Sequence, residues 1–300
     1  MKLKLGINGF GRIGRCVFRQ LVENKNITIV AINDLTDPST LAHLLKYDSA
    51  HGVLNADICV QNSKLIVNKK SIQIFSKSSP KEIPWKDLDV DIVIESTGRF
   101  TKKEDALAHI DGGAKKVIIS APSQDAKTVV LGVNEEILNN EDHIVSNASC
   151  TTNCLAPIAK IIDQQFNIVR GYMTTTHAFT ADQRLQDSPH KDLRRARSAT
   201  NAIIPTKTGA AIAVGKVLPN LNGKLDGISL RVPVICGSIV DFVCEVKIST
   251  SAKEVNNVIE DYIIENNLSN IVAVCNEPIV SSDIIGMTES AIVDSALTSV

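Results

Sequence analysis

The sequence predicts a two-domain α/β protein. A doubly wound, mostly parallel sheet is expected over residues 1–149, followed over residues 150–300 by an α+β domain with a largely antiparallel sheet. Three observations carry this expectation. Short apolar, β-branched runs alternate with helical patterns through the first half. A glycine turn of the form G-x-G-x-x-G follows the first of these runs. Past residue 150 the apolar runs lengthen, and two of them fall close together, as antiparallel strands often do.

Leu3 to Asn8 reads as a buried strand, Gly11 to Glu23 as a helix and Ile27 to Asn33 as a second strand. Asp91 to Glu95 and Lys116 to Ser120 read as two more strands. Thr101 and Glu104 are expected to open the helix between them as a capping box. Strands covered by helices on both faces read as continuous apolar runs, which is the pattern here. Ile58 to Phe75 is broken by Asn and Lys and is expected to form hairpins at the sheet edge. In the second half, Asn153 to Phe166 reads as a helix in which Pro157 removes one backbone donor. Val169–Thr180, Ile228–Val234 and Ile239–Ile248 read as strands, the last two as neighbours. Ser251 and Glu254 make a second capping box ahead of the apolar stripe Val255, Val258, Ile259, Tyr262 and Ile263.

Composition narrows the function. With 44% hydrophobic and 22% charged residues, the 300-residue chain can bury two cores. A formal net charge of −1 gives no global reason for a nucleic-acid or membrane partner. No apolar run is long enough to span a bilayer, and the first residues show no secretory signal. The cysteines Cys16, Cys59, Cys150, Cys154, Cys236, Cys244 and Cys275 are odd in number and irregularly spaced. That argues against a disulfide framework and for a reducing, cytoplasmic setting. The basic run Lys191–Arg197 is a local candidate for nucleic-acid contact, a minor one beside the neutral overall balance. No metal site is expected.

Two motifs carry chemistry. In Gly9-Phe10-Gly11-Arg12-Ile13-Gly14 the glycines allow a tight turn and close approach to a pyrophosphate, and the helix that follows offers free N–H groups. Asp34 ends the second strand, 20 residues after Gly14. A carboxylate there suits ribose hydroxyls and repels a 2′-phosphate, which favours NAD over NADP. The second motif is Ser146-Asn147-Ala148-Ser149-Cys150-Thr151-Thr152-Asn153-Cys154, lying between a strand and a helix. Cys150 would sit at the helix N-terminus, where the dipole favours the thiolate, with Cys154 one turn deeper and inert. His177, ending an apolar run, is a candidate proton acceptor for Cys150.

The run Ser146–Pro157 (SNASCTTNCLAP) resembles the active-site signature of the glyceraldehyde-3-phosphate dehydrogenase family. Ile7–Arg15 (INGFGRIGR), Lys46–Gly52 (KYDSAHG), Glu95–Phe100 (ESTGRF) and Arg231–Pro233 (RVP) resemble the same family, and the similarity covers essentially the whole chain. The resemblance implies a Rossmann-type NAD-binding domain, a catalytic domain, and assembly as a homotetramer. It implies glyceraldehyde 3-phosphate and inorganic phosphate as substrates. Cys150 then matches the nucleophile and His177 its activating base, while Arg12, Ile13, Asp34, Thr97 and Ser120 match cofactor contacts. Where the family often carries a basic residue this chain has Ser78 beside Lys77, which leaves a backbone contact to the adenine. Ser149, Thr151, Thr208, Gly209 and Arg195 resemble the inorganic-phosphate pocket. Thr180, Asp182 and Arg231 resemble the site for the substrate's own phosphate.

The implied chemistry is addition of the Cys150 thiolate to the aldehyde, hydride transfer to NAD while His177 takes a proton, and a thioester that phosphate releases as 1,3-bisphosphoglycerate. Alternatives are a dehydrogenase of another aldose phosphate, such as erythrose 4-phosphate, and a non-catalytic binding protein. The resemblance further implies a tail beyond the point matching Val300: a strand, a W-Y-D-N-E-like run whose Asn fixes the nicotinamide carboxamide, and a returning helix. A chain of residues 1–300 without that tail is expected to aggregate and turn over slowly.

Overall fold

In the computed structural model, which describes residues 2–300, the alternating first half folds as one nine-stranded sheet. The strands of this half are β1 (Leu3–Asn8), β2 (Ile27–Asn33), the two-residue β3 (Tyr47–Asp48) and β4 (Gly52–Val53), β5 (Ile58–Gln61), β6 (Lys64–Val67), β7 (Lys70–Phe75), β8 (Ile92–Glu95), β9 (Lys116–Ile119), β10 (Lys127–Thr128) and β11 (Ile144–Ser146), of which all but β3 and β4 belong to the large sheet. The order across the sheet is β10-β11-β9-β8-β1-β2-β7-β6-β5, with β3 and β4 paired separately. Pairings from β10 through β7 are parallel, and β7-β6-β5 is the antiparallel meander expected at the edge. Helices α1 (Arg12–Leu21), α2 (Pro38–Lys46) and α3 (Lys103–Asp111) complete this half. Ala31 and Ile32 are adjacent on β2 and must face opposite ways. They fall in separate cores, Ile32 with Leu5, Phe18 and Leu45, Ala31 with Trp85, Val93 and Val117.

From β1 the chain moves to β2 on one side, and later to β8 on the other. The strand order therefore reverses between β1 and β8, and the crevice beyond the carboxyl ends of the strands at such a point is where open α/β sheets bind ligands. The glycine turn lies there. Gly9 has φ +90°, and a Cβ on it would stand 2.7 Å from the Thr97 nitrogen. A Cβ on Gly14 would overlap the Gly9 carbonyl oxygen. Gly14→Ala is accordingly expected to cost about 2 kcal/mol or more, the scale of overpacking against a backbone that cannot yield. A melting temperature equal to the parent's would refute this.

One expected cap is not formed. The N-cap of α3 is Lys102, with no side-chain cap bond, so Thr101 and Glu104 do not make a box. The Lys103 N–H is instead taken by the Asp125 carboxylate at 2.8 Å, a stronger, charged acceptor supplied from a distant loop.

Two compact units divide the chain, the first reaching Val129 and resuming over Glu136–Ala148, the second comprising Val130–Glu135 and Ser149–Val300. The second contains α4 (Cys150–Phe166), β12 (Ile168–Ala178), β13 (Ile204–Lys207), α5 (Ala210–Val217), β14 (Leu225–Val232), β15 (Ser238–Val246), α6 (Ala252–Glu265), β16 (Val272–Cys275) and β17 (Ala291–Asp294). Its main sheet has the order β13-β14-β12-β15, with α4 packed on α5, α6 and β15. Two of the three pairings are antiparallel; β12 and β14 run parallel. The expectation that the runs forming β14 and β15 are neighbours is corrected: β12, eleven residues long, lies between them. The link Pro233–Gly237 explains this, since it carries a proline and none of the two-residue turn chemistry that closes a hairpin. The Ser251 cap forms as expected, its hydroxyl accepting from the Glu254 N–H at 3.2 Å; the Glu254 carboxylate turns to the Thr250 hydroxyl. Helix α4 is continuous through Pro157.

Candidate functional site

The first group of predicted residues lies along the carboxyl edge of the parallel sheet. Gly11 is the N-cap of α1, has no side chain to cap the helix, and faces open space where a Cβ would be, with nothing beyond its chain neighbours within 4 Å. A helix N-terminus at such a turn attracts an anion. Ile13, on the first turn, exposes 48% of its surface, an apolar patch beside the turn; Arg12 adjoins it and is exposed. Asp34 caps the end of β2. Its Oδ2 accepts from the Phe10 N–H at 2.7 Å and its Oδ1 from the Thr36 N–H at 2.9 Å. The carboxylate thus braces the glycine turn, and each oxygen keeps a further lone pair for a hydroxyl.

Ser78 is exposed in the loop after β7. Asn33 holds that loop through Lys77, accepting from its N–H at 2.8 Å and donating to its carbonyl at 3.0 Å. Thr97 is fixed after β8 by its N–H, 2.9 Å from the Glu95 carboxylate. Ser120, after β9, donates to the Glu95 carbonyl at 3.0 Å. The open cradle at Gly11, the helix N-terminus behind it and the carboxylate at Asp34 fit a dinucleotide with a free ribose. Asp34→Ala is expected to raise the Michaelis constant for NAD about tenfold and narrow the preference over NADP, because the brace on Phe10 is lost together with a carboxylate placed to accept from ribose hydroxyls. Unchanged constants for both cofactors would reduce Asp34 to a structural cap.

The second group lies in the second unit. The chain leaves β11 and turns through Ala148, at φ +59°, into α4. Ser149 is the N-cap, its hydroxyl accepting from the Thr152 N–H at 3.1 Å. The same hydroxyl also lies 2.7 Å from the Thr152 hydroxyl, so a residue that resembles part of the phosphate pocket keeps a single lone pair or its proton for a further partner. Cys150 is the first residue of the helix and is open to solvent. Its sulfur lies 3.3 Å from His177 Nε2 and 4.0 Å from the Thr151 hydroxyl. The atoms crowding the sulfur would raise its pKa. The hydrogen bond and charge of His177, with the hydroxyl and N–H of Thr151, outweigh them and hold the thiol below its ordinary value. Cys154, one turn on, is pushed up to about 11 by burial and by its proximity to Cys150, and stays a thiol.

His177 closes this arrangement from β12. Its Nδ1 lies 2.7 Å from the Ala178 carbonyl, and Arg231 Nη1 donates to the same carbonyl at 3.0 Å while standing 2.7 Å from Nδ1. Nδ1 thus faces both an acceptor, the Ala178 carbonyl, and a group that only donates, Arg231; when the ring proton is on Nδ1 and given to Ala178, Nε2 is the acceptor facing the sulfur and the Arg231 contact is a close approach of two donors. Burial, then the nearby charge of Arg195, lower the Arg231 pKa, so two guanidinium groups converge here. Arg195 pairs with Asp182, which also faces His190 at 3.5 Å. Thr180 opens the turn after β12, its carbonyl accepting from the Gln183 N–H at 2.9 Å. Thr208 and Gly209 lead into α5, with Gly209 as N-cap and the Thr208 hydroxyl accepting from the Ala210 N–H at 3.2 Å. In the basic run, Arg197 pairs with Asp187, and Arg195 with Asp182 and Asp192. Sequence reasoning missed Asn8, Asn33, Glu95 and His109, all buried. The available signal was a polar residue ending each of three apolar strands.

Comparison with known proteins identifies the family. Residues 3–103 match the family described as glyceraldehyde 3-phosphate dehydrogenase, NAD binding domain, and residues 149–300 match the corresponding C-terminal domain. The chain is 53% identical to the glyceraldehyde-3-phosphate dehydrogenase of Geobacillus stearothermophilus, over all of its own length and 90% of the relative's. It is 55% identical to glyceraldehyde-3-phosphate dehydrogenase 2 of Streptomyces avermitilis over the same shares. With glyceraldehyde-3-phosphate dehydrogenase 1 of Bacillus cereus the identity is 52%, over 99% of this chain and 89% of that protein. The chain belongs to the glyceraldehyde-3-phosphate dehydrogenase family.

Proposed function

We propose that this chain oxidises glyceraldehyde 3-phosphate to 1,3-bisphosphoglycerate with NAD, with Cys150 as nucleophile and His177 as its base. The contact that supports these roles is the 3.3 Å approach of the Cys150 sulfur to His177 Nε2 at the start of α4. Bound NAD supplies the two-electron acceptor. Transfer of the thiol proton to Nε2 leaves a thiolate that the N-terminus of α4 stabilises, and the thiolate adds to the aldehyde carbon. The imidazolium returns that proton to the developing alkoxide, and the neutral His177 takes it back from the hemithioacetal hydroxyl as the carbon is oxidised. Its Nδ1–H, held by Ala178, keeps the ring aimed through these transfers. The thioester so formed retains the energy of oxidation, and attack by inorganic phosphate releases the acyl phosphate and the thiolate.

Arg231 and Arg195, with Thr180, Asp182, Ser149, Thr151, Thr208 and Gly209, are proposed to hold the two phosphates through charge-assisted and neutral hydrogen bonds. Asp182 serves by orienting Arg195. The names of the relatives favour this substrate over erythrose 4-phosphate. We further propose a homotetramer acting in the cytoplasm. Among the described residues, no helix is long and apolar enough to cross a membrane. The deciding assay is NAD reduction with glyceraldehyde 3-phosphate. It is expected to require inorganic phosphate and to stop on alkylation of Cys150; phosphate-independent reduction would overturn the phosphorylating reaction.

A further inference from the structure

Three strands at the switch point, β1, β2 and β8, end in Asn8, Asn33 and Glu95. Each is almost wholly buried, at 1%, 4% and 2% exposure. Each is also followed at once by a cofactor segment: the glycine turn, Asp34, and Ser96-Thr97. Side chains tie these ends together. Asn33 donates to Asn8 Oδ1 at 2.8 Å, and Asn8 donates to Glu95 Oε2 at 2.5 Å. The other Glu95 oxygen accepts from the Thr97 N–H at 2.9 Å and the Thr97 hydroxyl at 2.5 Å. Behind them His109 Nε2 meets Glu95 Oε2 at 2.9 Å, and the Trp85 indole donates to His109 Nδ1 at 3.0 Å. Asn33 also carries the loop to Ser78 through Lys77.

Protonation states follow from donor chemistry. An indole N–H only donates, so His109 Nδ1 accepts and its ring proton lies on Nε2, toward Glu95. Four donors then converge on Glu95, and only an ionised carboxylate accepts at both oxygens while offering none. A glutamine there would turn its NH₂ either onto the donors of Asn8 and His109 or onto those of Thr97. In either orientation buried donors face one another, which costs far more than the lost bond.

We propose that Glu95, backed by His109 and Trp85, is the positioning residue of the dinucleotide site: it sets the mutual placement of the glycine turn, Asp34, the Ser78 loop and Thr97, and Trp85 senses that placement. The inference rests on reading this edge as the NAD site. It also gives a native reporter, because Trp85 is the single tryptophan of the chain.

The test measures binding of NAD and of ADP-ribose by calorimetry, with Trp85 emission recorded in parallel, on the full chain. Both ligands are expected to shift the emission of the parent protein. Glu95→Gln should raise both dissociation constants at least tenfold and abolish the emission response, with kcat at saturating NAD changed by less than about threefold. Adding Asn8→Asp, which returns a carboxylate within 3.5 Å of His109 Nε2, should restore most of the affinity. A second pair covers the event that Glu95→Gln does not fold. His109→Gln can both accept from Trp85 and donate to Glu95, whereas His109→Leu can do neither; the former should bind near the parent affinity and the latter at least fivefold more weakly. Equal affinity in those two variants, parent affinity in folded Glu95→Gln, or parent emission indifferent to ADP-ribose would each overturn the proposal. Failure of the parent to bind NAD would instead overturn the cofactor reading of this edge.

Discussion

Cys150→Ser is expected to lower the rate of glyceraldehyde 3-phosphate oxidation by at least about 10³-fold, the scale on which loss of a catalytic nucleophile acts, while NAD affinity stays within about twofold, the scale of a substitution that removes no packing. Serine keeps the shape of the side chain and the start of α4. It does not keep the acidity: a hydroxyl at the same point is far less ionised than a thiol that His177 and Thr151 already hold below its ordinary value. Nor can the neighbouring cysteine take over. Cys154 is pushed up to about 11 and lies a turn deeper in the helix. Single-turnover kinetics with saturating NAD, beside a calorimetric titration of NAD, separate the two effects. Retention of more than a few per cent of the parent rate would remove Cys150 from the chemistry.

How far the sequence discloses all this depends on the range of the interaction. The parallel half is legible because its cause is local. Runs such as Ile27–Asn33 are apolar on both faces and can only be covered strands, and a glycine turn between a strand and a helix has few uses. The edge meander over Ile58–Phe75 is legible for the same reason, its polar breaks marking the turns. What the sequence hides is partner choice over distance. The Lys103 N–H looks as if it belongs to Thr101, but Asp125 takes it from 22 residues away. The runs forming β14 and β15 look like a hairpin, yet β12 enters between them from some fifty residues earlier. In the site, Cys150 and Asp34 announce themselves by their flanking motifs. His177 carries no local mark, and its relation to the sulfur exists only once β12 is laid beside α4. The buried set of Asn8, Asn33, Glu95, His109 and Trp85 is less visible still, since its members are ordinary residues whose meaning lies in one shared carboxylate.

The second large effect is expected at His177. His177→Asn should lower kcat by about 10²- to 10⁴-fold, the range for losing a positioned general base, and should also change the acidity of Cys150 without touching it. In the parent, the crowding that raises the thiol pKa is outweighed by the His177 hydrogen bond, its charge and Thr151. Asparagine removes the charge and leaves only Thr151 against the crowding, so the pKa must rise. The direction also fixes a stability effect. A thiol whose pKa is lower folded than unfolded stabilises the fold above the unfolded value, and that contribution is lost as pH falls through the lowered folded value. The stability difference between parent and His177→Asn that comes from this ionisation should therefore shrink on acidification across that window. Peptide-resolved alkylation by iodoacetamide over a pH series measures the shift directly, with Cys154 as the unreactive internal standard. The parent should alkylate at Cys150 with an inflection below that of an ordinary thiol, and the variant with one moved upward. An inflection that stays in place while kcat falls would mean that His177 acts only on the later proton and that Thr151 and the α4 N-terminus alone prepare the thiolate.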